Sequence, residues 1–210
     1  MISLSEILHT IAQALMIPCL IILLVLMAGA VWQIGDIVVE YIAERRKHKC
    51  NVPQLLRDVH AAGADGLAEL IENSGLLRRQ KKALLELAES RGLPKDTLTA
   101  LAERLLATEE ARNARTTSIT DMIAKLGPMF GLLGTLIPLG PGIVALGQGD
   151  TVTLSESMNV AFDTTIAGVI SAAVASVISH IRKRWYNDDM MSLETLMEAV
   201  LEEVTSDVEG

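Results

Sequence analysis

Three side chains able to bind or relay an ion stand inside otherwise apolar stretches. Asp163 and Thr165 belong to "AFDTTIAGVISAAVAS" (161–176), and Thr135 to "GPMFGLLGTLIPLGPG" (127–142). An acid within a bilayer costs about 2.5–3.5 kcal/mol on insertion scales and usually marks an ion or proton route. A hydroxyl can hydrogen-bond a carboxyl group, or help coordinate a desolvated cation, without carrying a permanent charge. The same residues also have a plainer use. Small and hydroxylated faces let helices pack closely, and Asp163, about two turns from a polar loop, reads equally as an interfacial acid or a hydrogen-bond partner.

Other chemistry finds no support in the residue pattern. There is no phosphate-binding loop, nucleophile elbow, paired metal-binding histidines or Cys-x-x-Cys. His9, His48 and His60 lack ligand spacing. His180 beside "RKR" reads as interfacial, and Asp121 as an ordinary helix-end residue. We therefore expect no enzyme, no metal and no cofactor; the only small species implied is a transported ion.

These side chains must be positioned by helices in a membrane. Half of the 210 residues are apolar, yet there are only two each of Phe, Tyr and Trp. The apolar residues gather in blocks. Thr10 to Gly35 and Leu126 to Gly149 carry no Asp, Glu, Lys or Arg, and Thr164 to Ile181 holds only His180. Each approaches the roughly 20 residues needed to cross a bilayer. The fold class expected is all-α, an integral membrane protein with three transmembrane helices. The first block lacks a basic leader and a small-x-small cleavage site, so it reads as an uncleaved anchor.

All 18 Lys and Arg lie within residues 45–125 or at Arg182, Lys183 and Arg184. The positive-inside rule then puts the N-terminus outside and the C-terminus in the cytoplasm. The expected organisation is an N-out segment and first span (1–39), a cytoplasmic helical domain (40–121), the second span (122–147), an external loop (148–157), the third span (158–181) and an acidic helical tail (182–210). "ERRKHK" after the first span reads as a stop-transfer cluster. Cys19 and Cys50 should be separated by the membrane, which argues against a disulfide. The acidic tail argues against nucleic-acid binding.

Between residues 53 and 121 apolar positions recur at helical spacing, punctuated by Gly63, Gly75 and "GLP" at 92–94, with Asp96 able to cap the last helix. That helix meets no breaker before Gly127 and Pro128, so it can run into the second span. The cytoplasmic stretch reads as too short for a large core of its own, and is expected to extend the membrane helices and pack on neighbouring copies. In the tail, Leu193, Leu196, Met197, Val200, Leu201 and Val204 fall on one side of a helix.

Within the spans, Gly127, Gly131 and Gly134 form a flat strip for helix approach, while Pro138 and Pro141 are expected to break or kink the outer half. In the third span Ala161, Thr165, Gly168, Ala172, Ala175, Ser176 and Ser179 form a small, partly polar face. Phe162, Ile166, Val169, Ile170, Val177 and Ile181 form a lipid-suited one. The small face is either a tight helix contact or the lining of a narrow pathway.

"GPMFGLLGTL", followed about 30 residues later by "AFDTTIAGVISAAVAS", resembles the signature of the MotA/TolQ/ExbB proton-channel family over roughly residues 112–185, and the three-span layout is closest to TolQ/ExbB. The resemblance implies a homopentamer whose second and third spans surround a pore. That pore would hold, usually in two copies, a single-span partner resembling TolR, ExbD or MotB that carries the ion-binding aspartate. The family's pore threonines fall on Thr135 and Thr165, and Gly131, Gly134, Ala161, Gly168, Ala172 and Ser176 would face the pore. Where TolQ/ExbB-type chains usually have a glutamate, this chain has Val160. Asp163, three residues deeper, is expected to substitute for it. The implied activity is ion-driven (H+ or Na+) mechanical work at the cytoplasmic membrane. The alternative is a structural scaffold whose glycine faces only pack helices.

Overall fold

A computed structural model describes residues 4–42 and 51–209. The stop-transfer cluster "ERRKHK", with His48, and Cys50 lie outside the described residues. Six helices follow one another: α1 (Leu4–Ala14), α2 (Met16–Glu40), α3 (Val52–Asn73), α4 (Arg78–Glu89), α5 (Lys95–Gly147) and α6 (Thr151–Glu209). No strand occurs among the described residues. Segments within Glu6–Glu40, α5 and α6 are long and apolar enough to cross a membrane, so the all-α, three-span expectation holds.

Proline chemistry sets the first break. Pro18 has no N–H to give the Ala14 carbonyl and its ring crowds that oxygen. The helix accordingly divides at Leu15, between α1 and α2. In α5 the expected prolines do not break the helix. Pro128, Pro138 and Pro141 all lie inside one uninterrupted helix. A proline N–H cannot serve the carbonyls of Ala124, Gly134 and Ile137, but the flanking turns continue around them, as spanning helices tolerate.

The ends of α5 and α6 also shift from expectation. Lys95 already opens α5, and the Pro94 carbonyl accepts from the Leu98 N–H at 3.0 Å, so Asp96 sits in the first turn rather than at the cap. There its charge favours the positive end of the helix dipole. Only Gln148 to Asp150 connect α5 to α6, and residues 151–157, read as loop, are helical. The cause is Asp150. Its carboxylate accepts from the backbone N–H groups of Val152 and Thr153, both at 3.1 Å, and from the Thr153 hydroxyl at 2.6 Å. That is a helix N-cap. The Thr153 bonds hold the carboxyl below its ordinary pKa, so the cap is intact above the unfolded carboxylate value and is lost as pH falls through the lower folded one.

The chain forms two compact units, residues 1–37 with 117–181 and residues 38–116 with 182–210. The second unit has one contiguous apolar core. Leu55, Val59, Leu67 and Ile71 of α3, Leu84 and Leu87 of α4, and Leu98 of α5 are buried with Leu193, Leu196, Met197, Val200 and Val204 of α6. The 53–121 stretch does not build this core on its own. The apolar stripe on the tail supplies the missing face. Gly63 takes φ +61° and bends α3, a conformation that glycine adopts without a Cβ penalty.

At the start of this unit Arg182 is 2 % exposed, and its Nε donates to Glu40 at 3.1 Å. Tyr186 beside them is pushed up to about 12, first by burial and then by the Glu40 carboxylate. Removing one partner of a buried pair leaves a charge without compensation, at about 3–5 kcal/mol, whereas replacing both with apolar groups is often neutral. Glu40→Ala should therefore lower the denaturation midpoint of the purified protein markedly, and adding Arg182→Met should restore most of the loss.

Candidate functional site

The first unit places α5 against α6 at backbone distance. A methyl group on Gly168 would stand 2.5 Å from the Gly127 carbonyl oxygen and 2.9 Å from the Gly131 Cα. One on Gly127 would stand 2.6 Å from the Gly168 oxygen and 3.0 Å from the Ala172 Cβ, and one on Gly134 would stand 2.6 Å from the Thr164 Cβ. The glycine strip is thus a packing surface within one chain. Gly131, Gly134, Gly168 and Ala172 all belong to it, and all are buried. Ala161 is buried one turn before Thr164, whereas Ser176 is exposed.

The buried face of α6 is rotated from the one read in the sequence. It runs Ala161, Thr164, Gly168, Ser171, Ala172, Ala175, Ile178 and Ser179. Thr164, not Thr165, is the hydroxyl inside the helix pair. Its oxygen donates back to the carbonyls of Val160 and Ala161, both at 3.0 Å, and Ser171 does the same to Ala167 at 2.7 Å. Both of these buried hydroxyls are satisfied by their own helix.

Thr165 and Thr135 lie on its flank, and both are half-buried. Gly131 stands 3.7 Å, by its would-be methyl, from the Thr165 Cα, and Gly134 meets Thr164. Thr135, beside Gly134 and one turn from Gly131, is therefore at the same depth as Thr165. Thr165 donates to the Ala161 carbonyl at 3.0 Å, and Thr135 to the Leu132 carbonyl at 2.6 Å. With its proton so engaged, each hydroxyl has only oxygen lone pairs left to offer. Such an oxygen can accept a hydrogen bond from a protonated carboxyl group or ligate a bare cation.

Asp163 is exposed on the surface that also carries Phe162 and Ile166, at 59 % and 57 %. Thr135, Thr165 and Asp163, the residues the sequence reading assigned to an ion pathway, thus share one level, and the glycines form the contact behind it.

Sequence reading missed a second group of polar side chains at the other end of this unit. Thr120 and Gln33 are both buried, and the Thr120 hydroxyl lies 3.4 Å from the Gln33 amide oxygen. Asp121, taken for an ordinary helix-end residue, accepts a short hydrogen bond from Ser179. Together they tie α5 to α2 and to α6. Gln33 in a charge-free block was the available signal. The buried Cys19 thiol of α2 donates to the Phe130 carbonyl at 3.4 Å. No group of His, Cys, Asp and Glu able to hold a metal occurs among the described residues.

The glycine contact makes a sharp prediction. Gly168→Val should abolish folding of the α5–α6 pair and recovery of the protein from membranes. Gly140→Ala, where nothing lies within 4 Å of the new methyl, should leave recovery and thermal stability unchanged, both read by size-exclusion profile after extraction.

No curated protein sequence matches the chain. Residues 70–195, more than half of its length, match the model of the MotA/TolQ/ExbB proton channel family. That stretch contains the contacting glycines, both flank threonines and Asp163. By this match, and with three helices able to span a membrane, the chain belongs to the MotA/TolQ/ExbB proton channel family.

Proposed function

We propose that the chain is the pore-forming subunit of an ion-driven motor complex. Five copies surround a pore through their second and third spans, and two copies of a single-span TolR/ExbD/MotB-like partner occupy it. The ion is H+, with Na+ the other cation that hydroxyl oxygens accept. The complex sits in the cytoplasmic membrane, with the N-terminus outside and the C-terminus in the cytoplasm, and couples ion flow to work by the partner's outer part.

The observation that carries this reading is the half-buried, same-level pair Thr135 and Thr165, with exposed Asp163 at the same depth of α6. One elementary charge crossing 100 mV releases about 2.3 kcal/mol. To use it, the wall must lower the cost of an ion at mid-membrane without trapping it. Neutral oxygens do this. A protonated carboxyl group on the partner can donate to Thr135 or Thr165, and the ionised form loses that bond and seeks the next wall. Five equivalent walls around an unequal pair cannot all be satisfied at once, so each passage favours a small rotation. Asp163, in this reading, replaces the acid that TolQ/ExbB-type chains carry where this chain has Val160.

A second reading also has an observation behind it. The contact of Gly127, Gly131 and Gly134 with Gly168 would serve a purely structural scaffold equally well. The two readings separate on Thr165→Val, which keeps shape and removes the oxygen. The motor reading expects ion flux, followed by a pH-sensitive dye in vesicles holding the complex, to fall at least about tenfold with the oligomer intact, a change of about 1.4 kcal/mol in barrier. Unchanged flux would favour the scaffold. Asp163→Asn should lower flux as well, and full flux in that variant would remove Asp163 from the pathway while leaving the threonines in place.

A further inference from the structure

The antiparallel pair α5–α6 meets at a second polar level, at the end of the spanning unit away from the Gln148–Asp150 turn. Asp121 precedes Thr135 by 14 positions, and Ser179 follows Thr165 by 14. The Ser179 hydroxyl donates to the Asp121 carboxylate. At 1.5 Å per residue this pair lies about 21 Å from the threonine level. Fourteen residues also return a helix to within about 40° of the same face. Asp121 therefore stands on the Thr135 side of α5, and Ser179 on the Thr165 side of α6. Between the two levels Ser176, which is exposed, falls on the same side of α6, 11 positions from Thr165.

Asp121 lies where the spans meet water. It is five positions outside the charge-free block that begins at Leu126, roughly 7–8 Å along a helix. That is the edge of a headgroup layer about 5–8 Å deep. Its side chain is half-buried, whereas Ser179 is buried. The surroundings are polar on each helix of the unit. On α5, Thr117 and Thr120 are buried, and Thr120 meets Gln33 of α2 at 3.4 Å. The charged or titratable neighbours in sequence are Lys125 one turn along α5, His180 beside Ser179 and Asp36 one turn beyond Gln33, all exposed.

A purely mechanical tie between the helices does not require an acid here. An asparagine oxygen accepts from a serine hydroxyl equally well, and it brings no charge to desolvate. The carboxylate adds one property, the exchange of a proton.

We propose that Asp121 is the group through which protons leave the ion route, at the end of the spans remote from the α5–α6 turn. Its carboxylate takes up a proton arriving from the route, gives it to bulk water as hydronium, and returns to the ionised form that accepts from Ser179. Ser179 is the positioning residue. The inference rests on the motor reading above, which makes this end cytoplasmic.

The test follows ion flux with a pH-sensitive dye in vesicles holding the complex. Asp121→Asn keeps an oxygen for Ser179 and removes proton exchange. Flux should fall by about tenfold or more, with the oligomer mass and thermal midpoint unchanged. Added azide, a small weak acid that can carry protons to and from the same mouth, should restore most of the flux above that of protein-free vesicles. A residue that only ties the helices would not respond to azide. Ser179→Ala should lower flux in part. If Asp121→Asn is unstable, Asp121→Glu carries the test: a longer carboxylate should keep most of the flux, and its loss would overturn the proposal. Full flux in Asp121→Asn, or a loss that azide leaves in place, overturns it as well. Full flux there with Thr165→Val impaired leaves the motor reading standing, while full flux in both variants removes both.

Discussion

Everything in the spanning unit depends on the backbone contact of α5 with α6. Lipid tails are as apolar as leucine, so no hydrophobic force holds two helices together inside a bilayer. Close packing and hydrogen bonds must do it. Gly127, Gly131 and Gly134 remove the side chains that would separate the helices, and Gly168 answers from the other side. Because carbonyl oxygens and Cα atoms meet directly, depth and rotation are set together. Thr164 is forced inside, and Thr135 and Thr165 are left on the flank. The proline-rich composition of α5, unfavourable in water, is compatible with this contact because the unserved carbonyls lie within a continuous helix.

Polar side chains refine what the glycines begin. Thr120 with Gln33, and Ser179 with Asp121, cross-link three helices at one end of the unit. In a medium that offers no competing water, such pairs hold register even when each contributes modestly. The bundle unit follows soluble rules instead. Its aliphatic core is contiguous, and Arg182, the one deeply buried charge among its described residues, is paired with Glu40. The chain thus joins a packing-limited unit to a burial-limited one through α5 and α6, which contribute to both.

The three spans were legible because hydrocarbon demands long charge-free blocks, and the glycine strip because small residues at helical spacing have few other uses in lipid. The tail's apolar stripe was legible too, with Leu193, Leu196, Met197, Val200 and Val204 all buried. What the sequence left out were pairings across helices. Whether Thr164 or Thr165 faces inward depends on a rotation of about 100° per residue, which periodicity does not resolve when both neighbours are threonine. The Asp121–Ser179 and Thr120–Gln33 bonds join residues 58 and 87 positions apart, and no local spacing announces them. The early start of α6 had a local signal, Asp150 followed by Thr153, that the polar look of the segment concealed.

The account stands on the flank threonines facing a partner inside an oligomer, and the mass of the native complex addresses that most directly. Purified from membranes alone and together with a single-span neighbour, the protein should give five chains, and five chains with two of the neighbour. A monomer or dimer whose mass ignores any single-span partner would contradict the account, because Thr135, Thr165 and Asp163 would then face only lipid.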